Sequence, residues 1–194
     1  MREPRPAPPA FLFFGVFTGF EPLFGEVKAL LEARFGALHP RGESPVYPFP
    51  ATQTYSRSMG PNLLRQFFVL ERPWPQDGLA RVKLAAIEME SAVRDRGTFP
   101  VERPVNIDPG LINDCRIVLA STKDYAHRIY RGEGVWEEVT LFYEKGSYRP
   151  LPWTYPDFRS PAYHPFFESF REELLSIIQS ARSQGRPPSG PPSA

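Results

Sequence analysis

The densest run of polar and charged side chains occupies residues 121–134 and follows an apolar stretch typical of a strand. Loops at strand ends often carry binding residues. Lysine and arginine can neutralise an anion, and serine and threonine hydroxyls can donate hydrogen bonds to a phosphate. The predicted ligand-binding residues of this segment are Ser121, Thr122, Lys123, Arg128 and Arg131. The segment also fits an ordinary charged loop with internal ion pairs, and both interpretations stay open.

A histidine within this segment offers acid–base chemistry. His127 can titrate near neutral pH and serve as a general acid or base, with Asp124 or Asp108 orienting its ring. We therefore predict catalytic roles for His127 and Asp124. Adjacent residues of a strand point to opposite faces. A shared site for His127 and Arg128 thus requires a loop at 124–127, with the strand beginning only after Arg128.

A second polar pair, Asn106 and Asp108, ends an apolar stretch. Residues two apart in an extended chain share a face, so both side chains can reach one ligand. Amide and carboxylate oxygens can bind a metal ion, a ribose or a substrate hydroxyl. The sequence Asp108-Pro109-Gly110 is equally typical of a turn in which the aspartate accepts backbone hydrogen bonds.

A third segment, residues 151–161, combines three prolines with aromatic side chains, among them Trp153 and Tyr155. A rigid aromatic segment can stack on a base or hold a protein partner. It can also form a rigid lid over the hydrophobic core. We include Trp153 and Tyr155 among the predicted ligand-binding residues. Tyr55 and Arg65 are lesser candidates.

Composition narrows the classes of function. The chain has 194 residues with 23 Lys plus Arg, 22 Asp plus Glu and a net charge of +1, so no duplex nucleic acid partner is expected. The single cysteine excludes an internal disulfide and a multi-cysteine zinc site, and three histidines argue against a His-rich metal site. Phosphate-binding P-loop, dinucleotide, serine-hydrolase and zinc-protease motifs are absent. A magnesium site built from carboxylates stays open, because its ligands need no fixed spacing.

The chain contains several long and specific strings: MGP at 59–61 followed by Leu64, VNIDPG at 105–110, VLASTKD at 118–124, HRIY at 127–130, LPWTYPD at 151–157, and SP at 160–161 followed by Tyr163. These strings resemble an uncharacterised bacterial family, a domain of unknown function numbered 4416, over about residues 11–173. The resemblance implies no established activity. The functional expectation therefore rests on the residues: an anionic ligand, phosphorylated or nucleotide-like, bound at 121–131, or alternatively a noncatalytic interaction domain that uses 151–161.

These segments must be positioned by helices and strands. Short apolar runs predict strands at 11–17, 64–70, 101–107 and 116–122, and the last run also fits a buried helix. Residues 45–55 are predicted to be extended. Residues 128–130, 137–143 and 147–151 are predicted to form a meander with a turn at Lys145-Gly146. Apolar side chains at helical spacing predict three helices. The first contains Leu23, Val27, Leu30 and Leu31, the second Leu79, Val82, Ala86, Met89 and Val93, and the third Tyr163, Phe167, Phe170, Leu174 and Ile177. Charged residues on the second helix, Arg81, Lys83, Glu88, Glu90 and Arg94, are predicted to form a solvated face.

The order strand, helix, strand, strand, helix, strand matches a ferredoxin-like split βαβ unit. We predict a single α+β domain at 10–180, with that unit extended by antiparallel strands into a mostly antiparallel sheet covered by helices. Proline-rich tails at 1–9 and 181–194 are predicted to be disordered. The apolar run at 11–20 is half the length of a membrane span and lacks a cleavage pattern, so we expect a cytoplasmic protein without a membrane partner. The oligomeric state stays open.

Overall fold

The computed structural model describes residues 3, 7–50 and 53–184. The strands are β1 (Phe11–Thr18), β2 (Leu38–Glu43), β3 (Tyr47–Pro48), β4 (Leu64–Leu70), β5 (Val105–Ile112), β6 (Arg116–Ser121), β7 (Ile129–Gly132), β8 (Val135–Glu144) and β9 (Ser147–Pro150). The helices are α1 (Leu23–Phe35), α2 (Gln53–Met59), α3 (Leu79–Asp95) and α4 (His164–Ser183), and a 3₁₀ turn at Gln76–Gly78 precedes α3.

All these strands join one antiparallel sheet in the order β2-β4-β1-β5-β6-β8-β7, with β3 beside β4 and β9 beside β8. Strand β1 lies between β4 and β5, and the helices α1 and α3 each connect strands that are not neighbours. This is the ferredoxin-like split βαβ arrangement, extended beyond β5 by antiparallel strands. The predicted fold class, a single α+β domain with a mostly antiparallel sheet covered by helices, is confirmed.

Strand β1 is buried throughout, because helices cover both faces of the sheet. Its alternate side chains point to opposite faces. Phe14 and its neighbours at alternate positions pack with apolar side chains of α1 and α3, and Phe13 packs with those of α4. On the α4 side the ring centroids of Phe13 and Phe167 are 5.1 Å apart, in an edge-to-face arrangement. The predicted aromatic stripe of α4 is therefore core packing.

The extended prediction for residues 45–55 holds only in part. Among the described residues of this range, Tyr47–Pro48 form a short strand beside β4, and helix α2 begins at Gln53. The strand that completes the split unit is β2, Leu38–Glu43, which the hydrophobic pattern does not mark. It lies at the edge of the sheet and is mostly exposed or half-buried, so burial does not select apolar side chains there.

The turn predicted at Asp108-Pro109-Gly110 is also wrong, because these residues lie inside β5. Pro109 lies opposite Phe14 of β1, whereas pairing of β5 with β6 is confined to 110–112. Proline is tolerated where no neighbouring strand needs its N–H. The Asp-Pro-Gly sequence therefore marks the residue at which β6 stops pairing with β5.

Two charged residues of α3 depart from the predicted solvated face. Lys83 is 5% exposed, and the side chain of Glu90 is 12% exposed. Both turn toward β5 rather than toward solvent.

The other predicted elements agree more closely: residues 116–121 are a strand and not a helix, and Lys145-Gly146 forms a tight turn with positive φ at both residues.

Near the predicted tails, Pro9 is buried, and the carbonyl of Pro8 accepts a hydrogen bond of 2.7 Å from Gln76. Helix α4 continues to Ser183. Residues 1, 2, 4–6 and 185–194, which make up most of both predicted tails, lie outside the described part of the chain. In the part described, no helix is long and apolar enough to cross a membrane.

Candidate functional site

The site forms where two neighbouring strands of the sheet separate. Strands β5 and β6 pair only from Gly110 to Ile112, which leaves residues 105–109 of β5 without a partner on that side. Side chains of α3 take over the backbone groups exposed there. Glu90 Oε1 accepts a hydrogen bond of 2.7 Å from the N–H of Ile107, and Lys83 Nζ donates one of 2.9 Å to the carbonyl of the same residue. Buried backbone groups need such partners, which explains why both charges are drawn inward.

A cavity of about 140 Å³ lies beside this gap. Strands β1, β4, β5, β6 and β8 and helices α2 and α3 contribute to its walls. The segments before α2, before β5, after β6 and after β9 complete them. Aromatic, charged, hydroxyl and aliphatic side chains all line it. This is the mixed composition typical of small-molecule sites.

Strand register brings polar residues of β4 and β5 to one face. Arg65 lies opposite Phe17 of β1, and Asn106 lies opposite Phe17 on the other side. Asp108 lies opposite Gly15. A Cβ atom added at Gly15 would lie 2.5 Å from Nη1 of Arg65, so the glycine leaves the space that the guanidinium fills.

Asp108 is held as a carboxylate within a chain of polar contacts. Its Oδ1 accepts a hydrogen bond of 3.1 Å from Lys83 Nζ, and its Oδ2 accepts one of 2.6 Å from Asn106 Nδ2. Asn106 Oδ1 in turn accepts from Arg103. Burial opposes ionisation of Asp108, but the attraction of Lys83, Arg65 and Arg103 outweighs it, so its pKa lies below the usual range.

Arg128 joins the loop after β6 to the neighbouring segments. Its Nε donates a hydrogen bond of 2.8 Å to Glu138 Oε2. Its Nη1 donates to Ser121 Oγ and to the carbonyl of Lys123, both at 2.8 Å. Its Nη2 donates to the Tyr155 hydroxyl at 2.5 Å. Burial disfavours the charge of Arg128, but the hydrogen bonds and charge attraction of Glu138 and Tyr155 together outweigh burial and raise its pKa. Burial also raises the pKa of Tyr155 to about 12, although Arg128 opposes this. Tyr155 therefore stays protonated at neutral pH and keeps its own hydrogen to donate.

Arg65 is a deeply buried cation of the cavity, 3% exposed. Its guanidinium carbon lies 4.9 Å from the ring centroids of both Phe17 and Phe49. Its Nε lies 3.1 Å from Asp157 Oδ2. Among the described residues, neither its Nε nor its Nη1 has a hydrogen-bond partner, and neither has Asp157 Oδ2. Buried polar atoms without partners are rare in proteins and mark this pair as unusual.

Positive charge predominates around the cavity. Five cationic side chains and three carboxylates line it, namely Arg65, Lys83, Arg103, Lys123 and Arg128 against Asp108, Glu138 and Asp157. Lys123 is exposed at the rim, with its Nζ 5.9 Å from the ring centroid of Tyr55, and it forms no ion pair with any described residue. The arrangement can attract an anion and hold it among hydrogen-bond donors.

The comparisons with known proteins agree with the strings quoted above. The family model described as Domain of unknown function (DUF4416) matches residues 8–174. The chain belongs to this family. Neither a curated protein nor a solved structure matches it. Membership in DUF4416 carries no activity with it, so the site must be interpreted from its own geometry.

In this DUF4416 chain the cavity brings together most of the residues predicted from sequence to bind a ligand. Those that line it are Asn106, Asp108, Ser121, Thr122, Lys123, Arg128 and Tyr155. They come from three segments separated along the chain, and all three sequence candidates contribute. Residues 125–128 precede β7, which begins at Ile129, as the loop prediction required.

Four other predicted site residues lie elsewhere. Arg131 pairs with Glu137 at 3.3 Å, Asp124 is exposed, and Trp153 stacks on His127 with centroids 5.1 Å apart. None of these, nor His127, lines the cavity. The prediction that Asp124 or Asp108 orients His127 is wrong. Its Nε2 lies 3.1 Å from Glu138 Oε2, because the pairing of β7 with β8 places that carboxylate beside the loop.

Sequence reasoning missed four charged residues of the cavity, Lys83, Arg103, Glu138 and Asp157. Lys83 lies among charged residues of an amphipathic helix, and Glu138 lies in a strand with no neighbouring motif. Only Asp157 carried a signal, because it ends the LPWTYPD string. Within the described residues, no group of three or more His, Cys, Asp or Glu side chains is placed to hold a metal ion.

Proposed function

We propose that this chain binds a small anionic molecule in the cavity beside the gap between β5 and β6. The observation that carries the proposal is the charge of the walls, five cations against three carboxylates, with Lys123 unpaired by any described residue at the rim. Cations that remain without a carboxylate partner are available to an anion. The proposal concerns binding, because His127, the predicted acid or base, does not line the cavity.

The size of the cavity limits what can enter it. An apolar cavity of about 150 Å³ admits benzene. The volume here is about 140 Å³. We therefore propose that one anionic group or one ring occupies the cavity, and that any remaining part of a larger ligand lies at the rim near Lys123.

Thermal unfolding and calorimetric titration test this proposal. We would screen inorganic phosphate, sugar phosphates, nucleotides and small carboxylates, each with and without Mg²⁺, because a ligand of the native state raises its stability. For any anion that binds, Lys123→Ala should weaken the affinity about tenfold, roughly the loss of one charge-assisted contact. The matched control is Lys145→Ala, which removes an exposed lysine in the turn between β8 and β9, outside the cavity.

The proposal fails if no anion of the screen binds, or if Lys123→Ala and Lys145→Ala weaken binding equally. An equal effect would show that only the net charge of the chain matters. Circular dichroism and the unfolding midpoint should be the same for both variants, since both lysines are exposed.

A second candidate function is a noncatalytic interaction domain using the segment 151–161. Exposed apolar side chains favour it: Trp153 of this segment is 38% exposed, and Tyr125, Ile129 and Tyr130, in the loop before β7 and in β7 itself, are 51%, 70% and 58% exposed. His127 stacks on both Tyr125 and Trp153.

Sedimentation velocity of the wild type and of Trp153→Ala would test self-association through this segment. A sedimentation coefficient that rises with concentration only in the wild type would support an interface between copies of this chain.

A further inference from the structure

We infer that the anion bound in this cavity is a monocarboxylate with a compact apolar body, of which benzoate is a suitable probe. This inference rests on the proposed function and names the ligand class for the same cavity. It is carried by the surroundings of Arg65, by the carboxylates among the walls and by the volume of the cavity.

Arg65 selects for a planar anion. A guanidinium presents its N–H groups in one plane and matches a carboxylate in a side-by-side arrangement. The rings of Phe17 and Phe49 both lie 4.9 Å from its guanidinium carbon, and those of Phe67 and Phe158 lie 5.5 Å from it. Because rings occupy the surroundings of the guanidinium, flat groups fit beside it more easily than a tetrahedral phosphate.

The carboxylates of the wall select for a single charge. Asp108, Glu138 and Asp157 all line the cavity. Asp108 and Glu138 each accept hydrogen bonds from a cation, but Asp157 Oδ2 has no hydrogen-bond partner among the described residues. Four cations of the wall are already paired with carboxylates: Arg65 with Asp157, Lys83 with Asp108, Arg103 with Glu90 and Arg128 with Glu138. Lys123 is thus the one wall cation without a carboxylate partner among the described residues, so one negative charge balances it and a second charge would be left uncompensated.

The remaining wall suits an apolar body with a hydrogen-bond acceptor. Phe49 and Tyr55 provide ring surface, with their centroids 5.9 Å apart in an edge-to-face arrangement. Tyr155 accepts its hydrogen bond from Arg128 and so keeps its own hydroxyl hydrogen for a ligand oxygen. The volume of about 140 Å³ matches one six-membered ring.

Calorimetric titration of the full chain with four probes tests the inference. Benzoate should bind at least tenfold more tightly than benzamide, which has the same shape without the charge, and than phenyl phosphate. The bulkier 2-naphthoate should bind at least tenfold more weakly than benzoate, because two fused rings exceed the cavity. Arg65→Lys, which keeps the charge and loses the planar fork, should weaken benzoate binding about tenfold or more.

The outcomes separate the two proposals. Phenyl phosphate or inorganic phosphate binding more tightly than benzoate would overturn the monocarboxylate inference and leave the anion-binding proposal standing. Equal affinity for benzoate and 2-naphthoate would also overturn the inference. Failure of every anion to bind would overturn both. If Arg65→Lys does not fold, the four probes still decide, because their comparison uses only the wild-type chain.

Discussion

Arg128 is the residue whose role changes most once its partners are known. The sequence predicts that Arg128 binds a ligand anion. In the folded chain, its side chain is 1% exposed and lies against Glu138, whose side chain is equally buried. Arg128→Ala should therefore leave a buried carboxylate without its cation and lower the free energy of unfolding by about 3–5 kcal/mol.

Chemical denaturation of Arg128→Ala and Arg149→Ala measures this difference. Arg149 is an exposed arginine of β9, and its replacement should change the free energy of unfolding by less than about 0.5 kcal/mol. The double variant Arg128→Ala/Glu138→Ala should recover part of the loss, since it removes the unpaired charge as well. Arg128→Ala as stable as Arg149→Ala would contradict the bracing role.

Asp108 should make stability depend on pH at the acidic end. Its pKa is lowered in the folded chain by Lys83, Arg65 and Arg103. A lowered pKa stabilises the folded state above the unfolded pKa of about 3.9, and this stabilisation is lost as the pH falls through the folded pKa. The wild type should thus exceed Asp108→Asn in free energy of unfolding by a constant amount above about pH 5, and the excess should shrink below about pH 4.

Urea denaturation from pH 3 to pH 7 gives the measurement, with Asp124→Asn as the control at an exposed position. The control should differ little from the wild type throughout. An excess for the wild type over Asp108→Asn that is unchanged at pH 3 would show that the Asp108 carboxylate is not stabilised by its cations.

At the scale of elements, helix α3 carries the sharpest prediction. Val82 is 3% exposed and packs against the sheet, whereas its neighbour Arg81 is exposed. Val82→Asp should bury an unpaired charge, cost about 3–5 kcal/mol and unfold much of the population. Arg81→Asp places the same side chain one residue away and should cost less than about 1 kcal/mol. Thermal unfolding followed by circular dichroism compares them, and equal midpoints would mean that the facing of α3 is wrong.

At the scale of the whole molecule, the packed region begins before β1. Removing residues 1–6 and 185–194 should leave the unfolding midpoint within about 2 °C of the wild type, because these segments are rich in proline and lack core-forming side chains. Removing residues 1–9 should lower it further, since Pro9 is buried and Pro8 accepts a hydrogen bond from Gln76. Equal midpoints for the two truncations, measured by calorimetry, would show that residues 7–9 add no stability.

Hydrophobic pattern alone determined the strongly apolar elements. The run at 64–70 and the spacing of Val82, Ala86 and Val93 predicted β4 and α3, because burial on a sheet or a helix face selects apolar residues at a fixed period. The order of elements then predicted the split βαβ topology, although its second strand was placed at 45–55 and lies at Leu38–Glu43. Three candidate segments were also recognised by composition, and side chains from all three line the cavity.

Tertiary structure decided where those side chains point and which of them remain available to bind a ligand. The apolar spacing of α3 predicts that Lys83 is exposed, yet Lys83 is buried. Its Nζ donates to the carbonyl of Ile107, which β6 leaves without a strand partner. Arg65 and Asp108 lie 43 positions apart in the sequence and share a face through the register of β1 with β4 and β5. Pairings across the sheet set these neighbours, and no local pattern encodes a pairing between distant strands, so the cavity could be found only in the folded chain.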